Sequence, residues 1–165
     1  MEMLFAFLIT GLVVFTLVGM SISSGRNFAA YANYVELNDA NRLAMDTVTR
    51  DLRECNRVLS AGTNFIYIEA GDGQPLLYSH VASTKTVRRW KNGVSKEILK
   101  GCESMRFQLL QRNPIGGSYD VYPTATPATA KVVDVAWNCS REILGIKANT
   151  ENVQTARIVI RRQGT

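Results

Sequence analysis

Histidine is nearly missing from this 165-residue chain, with His80 as its only imidazole. It lies in an apolar, strand-like run with no cysteine or acid at ligand spacing, which argues against a zinc site. A Ser–His–Asp machine needs a base with partners, and His80 stands alone. No glycine-rich loop of phosphate-cradling spacing occurs. The expectation is a protein that is no enzyme, with no catalytic residues and no cofactor, metal or small-molecule substrate. Proline is missing before Pro75, so nothing in that half of the chain forces a helix to stop. Charge is missing from Met3 to Gly25, roughly the 20 or so apolar residues that cross a bilayer. No Lys or Arg precedes Arg26, and no A-x-A-type cleavage site follows, so the stretch is a poor match to a cleavable signal peptide. Three cysteines, Cys55, Cys102 and Cys139, cannot all pair within one chain, and their spacing fits no zinc pattern.

What is present begins with the opening, "MEMLFAFLITGLVVFTLVGM". It is a candidate transmembrane helix headed by one acid, Glu2. A buried core helix is the bland alternative, but the run is apolar on every side. Beyond it, Tyr34, Leu37, Ala44, Val48, Leu52, Cys55 and Leu59 recur at helical steps, with Asn41 as the one polar interruption. Asp39, Arg42, Asp46, Arg50, Arg53 and Arg57 occupy the opposite face, with pairs such as Asp46–Arg50 at supportive spacing. Gly62 stands where a helix end favours glycine. The pattern predicts one long helix, with a transmembrane part over 1–24 and an amphipathic continuation over 25–61.

From Asn64 the period changes to two. "NFIYIEA", "PLLYSHV", "KTVRRWK", "SMRFQLLQR", "KVVDVAWNC" and "TARIVIRR" read as strands, and Asp72-Gly73 and Asn92-Gly93 as tight turns. "RNPIGGSYDVYPTATPATA" holds three of the four prolines and reads as a long surface loop. The expected fold class is α+β, with the long N-terminal helix packed on an antiparallel β-sheet domain over 62–165. Cys102 and Cys139, both in strand-like surroundings, are the favoured disulfide pair in an oxidising compartment. Cys55, on the helical stripe, is expected to pack as a small hydrophobe.

A hydrophobic helix headed by an acid, flowing into an amphipathic helix and then a sheet, resembles the type IV pilin-like family. "MEMLFAFLITGLVVF" is similar to the start of a processed pilin or pseudopilin, with Glu2 in the place of the glutamate at the fifth mature position. "RLAMDTVTRDLREC" and "NVQTARIVIRRQ" are similar to stretches of minor pilin W and pseudopilin J relatives. The resemblance implies a basic leader, a cleavage glycine and a processed phenylalanine ahead of Met1. It also implies a structural subunit anchored by one pass in a bacterial inner membrane, with its globular domain in the periplasm or on the cell surface. Its partners would be other pilin or pseudopilin subunits, joined into a pilus or secretion pseudopilus. Glu2 would then meet the N-terminal amine of a neighbour; read without the resemblance, it is an acid favoured by the helix dipole in the headgroup region. Gly11 and Gly19 fall where pilin helices can loosen in a filament; read alone, they are small residues permitting close helix contact in lipid.

Charge supports a second expectation. The chain carries 19 Lys and Arg against 14 Asp and Glu, a net charge of +5 with pI near 9.3. Lys85, Arg88, Arg89 and Lys91 lead a basic run with Trp90 and Phe107 interleaved, a pattern that could hold DNA or another anion. A membrane-anchored DNA or ligand receptor that never polymerises is the alternative reading. A solvated outer sheet face explains the same residues.

Overall fold

The computed structural model describes residues 2–112, 121–122, 125–141 and 152–161. Helix α1 runs from Glu2 to Glu54 without a break. It is followed by β1 (Arg57–Ala61), β2 (Phe65–Glu69), β3 (Pro75–Val81), β4 (Thr86–Lys91), β5 (Val94–Lys100), β6 (Cys102–Arg112), β7 (Val121–Tyr122), β8 (Val132–Cys139) and β9 (Asn152–Val159). The α+β class read from the sequence is therefore correct. The strands form two antiparallel sheets rather than one: a meander in the order β1-β2-β3-β4-β5, and a second sheet in the order β7-β6-β8-β9. The predicted loop over 112–130 lies largely outside the described residues.

The helix is shorter than the predicted 25–61 continuation. Helical steps run through Cys55 to Leu59, but the chain leaves the helix at Glu54 and is already a strand at Arg57. Asn56 explains the change of course. Its N–H donates to Glu69 O at 2.8 Å, and its side-chain amide to Ala70 O at 3.1 Å, tying the chain to the end of β2. Strand alternation then buries Val58 and turns Leu59 outward, the reverse of the helical expectation. Gly62 is consequently no helix cap. It sits in the β1–β2 turn, where a Cβ would lie 2.4 Å from Phe65 Cε1.

The predicted turns hold. Asn92 and Gly93 both adopt positive φ (54° and 77°) between Lys91 and Val94, the backbone of a two-residue hairpin. β5 was not in the predicted set, because "VSKEILK" is charged and five of its residues lie exposed at a sheet edge. One hydrophobic core joins the layers. Leu37, Val48 and Leu52 of α1 pack with Ile68 and Tyr78 of the first sheet and with Val135 and Ile158 of the second.

Candidate assembly site

Every residue from Glu2 to Phe28 is exposed. The apolar side chains of this stretch, Phe5, Phe7 and Phe15 among them, touch nothing that would shield them from water. At about 1.5 Å per residue, 3–24 make a rod about 33 Å long, against a hydrocarbon core of about 30 Å. The chain thus carries one helix long and apolar enough to cross a membrane. Its polar atoms suit that setting. Thr10 Oγ1 donates to Ala6 O and Thr16 Oγ1 to Val13 O, each at 2.8 Å, so neither hydroxyl would face lipid unpartnered. Glu2 stands in the first turn, at the positive end of the helix dipole. Gly11 and Gly19 leave the helix regular, with open space where a Cβ would point.

The rod is fastened to the domain by polar clamps that are absent from the sequence expectations. Asp51 of α1 accepts hydrogen bonds from Tyr78 Oη of β3 and, at 2.7 Å, from Arg89 Nε of β4. Arg89 Nε also reaches Tyr78 Oη at 3.1 Å. Burial, and then the Asp51 carboxylate beside it, push the Tyr78 hydroxyl well above its ordinary range, so it remains a donor. Toward the other sheet, Asn41 Oδ1 accepts from Trp137 Nε1 at 2.8 Å, while its amide donates to Leu37 O at 2.9 Å. Asn152 Nδ2 donates to Asn38 Oδ1 at 3.1 Å. The helix is therefore bonded to both sheets, and movement of the rod carries the domain with it. The signals were available: Asn41 as the one polar residue on the stripe, and a tryptophan whose N–H needs an acceptor once buried.

The four cations proposed for phosphate are not brought together as one patch. Arg89 belongs to the Asp51 clamp, Lys85 pairs with Glu103 at 3.0 Å, and Lys91 pairs with Asp72 at 2.7 Å. Arg88 alone of the four forms no ion pair among the described residues; it lies on the outer face of the first sheet. There it borders a shallow groove of about 810 Å³ lined by Phe65, Tyr67, Leu77 and Trp90. The register places Tyr67, Leu77 and Trp90 in one row across β2, β3 and β4.

The cysteines separate as expected in part. Cys55 is fully buried at the end of α1, and burial pushes its thiol up to about 11. Cys102 and Cys139 are also fully buried and stand opposite each other across β6 and β8, both as thiols. His80 Nε2 bonds the Cys102 carbonyl at 2.8 Å. No group of three or more His, Cys, Asp or Glu able to hold a metal occurs among the described residues. No family model matches the chain, and no curated protein matches it.

Proposed function

We propose that this chain is a minor pilin or pseudopilin: a membrane-anchored structural subunit that assembles through its N-terminal helix into a type IV pilus or type II secretion pseudopilus. One observation carries the reading. A bilayer-length helix, exposed on every side, begins with a lone carboxylate and continues unbroken into the helix that holds the folded domain. A plain anchor needs neither the acid nor the continuity. An intramembrane carboxylate costs a few kcal/mol or more unless partnered, so Glu2 favours a state in which a cation meets it. In an array of parallel rods that cation is the N-terminal amine of an adjacent subunit. The contact draws the rod out of lipid and sets the axial stagger, while packing of the apolar side chains supplies the bulk of the affinity. The domain lies on the periplasmic side and contacts other subunits; the chain binds and turns nothing over.

Glu2→Ala tests the reading. The variant enters the membrane to the wild-type level but is recovered with neighbouring subunits at least tenfold less in crosslinked complexes. Unchanged recovery would remove the assembly role and leave a tethered domain.

A tethered receptor for DNA or another anion is the second reading, favoured by the aromatic groove beside Arg88. Stacking on aromatic rings and one phosphate contact would make such binding weak and salt-sensitive. Retention of single-stranded DNA at low salt by the full chain in detergent, lost in Arg88→Ala, would favour it over the subunit reading.

A further inference from the structure

Cys102 opens β6, Cys139 closes β8, and the register pairs them just before the ladder shifts between Cys102 and Ser104. The backbone decides which kind of partners they are. Cys102 N–H donates to Lys85 O at 2.8 Å, away from the β6–β8 ladder, and Ser140 N–H donates to Gly101 O at 2.8 Å. The two cysteines therefore exchange no backbone hydrogen bonds. They form the narrow kind of antiparallel pair, with Cα atoms typically about 4.5 Å apart and side chains at their closest. That spacing falls within the range of roughly 4.4–6.8 Å that disulfides adopt. Cys102 S–H donates to Ser104 O at 3.3 Å. The two side chains also act on each other's ionisation: Cys139 draws the Cys102 thiol below its ordinary value, while Cys102 and then burial push the Cys139 thiol above its own.

Gly101 holds this register in place. Its φ is +73°, and a Cβ there would lie 2.6 Å from Ser140 O. The residue before one cysteine and the residue after the other are thus in backbone contact that only glycine permits. On the far side, the Cys102 carbonyl meets His80 Nε2 and its N–H meets Lys85 O, so the pair also sits where the two sheets join.

We propose that Cys102 and Cys139 close to a cross-strand disulfide as the domain folds in an oxidising compartment, with a thiol–disulfide exchange oxidant as co-reactant and Cys55 left as the free thiol. The thiolate of one cysteine attacks a sulfur of the oxidant's disulfide, forming a mixed disulfide and releasing one oxidant thiolate. The thiolate of the other cysteine attacks the sulfur of the first, breaking the mixed disulfide and releasing the second. Two cysteine protons end on the two oxidant sulfurs, and two electrons pass to the oxidant. Both cysteines are fully buried, and β8 lies between β6 and β9. Closure therefore precedes completion of the sheet, and the finished bond is shielded from reductants. Cys55 escapes because it stands outside this ladder, buried at the end of α1. The bond would enclose 102–139 and restrain the unfolded chain over that segment. The pairing itself is independent of the assembly reading; oxidation in cells rests on that reading's periplasmic domain.

The test counts thiols. The full chain in detergent is held with a glutathione redox pair in mild urea, so that the sheet can open. It is then denatured and alkylated with a maleimide carrying a polymer that shifts the gel band. One adduct is expected after oxidation and three after reduction; Cys55→Ser should give none and two. Peptide mapping should find Cys102 joined to Cys139, and reduction should lower the melting temperature by on the order of 10 °C. Three adducts after oxidation, or a bond involving Cys55, would overturn the pairing. The same count on chain trapped directly from cells separates the two claims. One adduct supports the oxidising side, whereas three adducts in cells beside one in the redox buffer would leave the pair standing and overturn its compartment.

Discussion

Asn41 is fully buried on the apolar stripe of α1 because both halves of its amide are used, one by the helix and one by Trp137. Asn41→Leu would fit the stripe and strand the indole N–H. An orphaned buried donor costs about 1–3 kcal/mol, and denaturant melts of the detergent-solubilised chain should lose stability of that order. Adding Trp137→Phe should recover part of it; a single variant as stable as the parent would refute the clamp. Carboxylates at the far end of the domain predict an acid response. Glu69 is held below the ordinary carboxylate range by Asn56 and then Arg57, and Asp72 by Lys91 and then the Gln74 N–H. Folded values lower than unfolded ones stabilise fully above the unfolded range of about 4, and that contribution fades as pH falls through the folded values. Melting temperature should be flat from about pH 7 to 5 and decline below. Glu69→Gln should make the decline shallower, and an unchanged slope would count against the assignment.

At the scale of elements, periodicity found α1 and most of the strands, and it failed where two periods overlap. Cys55 and Leu59 continue the helical step, yet Val58 is the residue the core takes, because capture of Asn56 by β2 starts a strand one turn early. No local signal contains that capture, since its acceptors lie beyond residue 68 in the chain. The split into two sheets was equally illegible, being decided by which strands pair across the core. Gly62 shows what the misplaced boundary concealed: its missing side chain is filled by the Phe65 ring rather than by a helix end. Gly62→Ala should force that ring aside and cost about 1–3 kcal/mol, as overpacking does. A melt unchanged within error would show that the ring moves freely.

For the molecule as a whole, the candidate site divides by how its residues act. Glu2 and the bare rod were legible because a membrane helix declares itself by composition alone, with no tertiary partner needed. The basic run was legible as charge but not as function, since Glu103, Asp51 and Asp72 reach Lys85, Arg89 and Lys91 only in the folded sheet. The clamps of Asp51 and Asn41 make rod and domain move together, which a subunit drawn out of a membrane requires. The central claim is one contact, Glu2 against an amine of another subunit. Zero-length carbodiimide coupling in native membranes or isolated filaments, followed by peptide mapping, reads it most directly. The expected product is an amide joining Glu2 to the N-terminal amine of a neighbouring subunit, absent in Glu2→Gln. Coupling at exposed acids of the domain, with Glu2 unmodified in intact filaments, would contradict it.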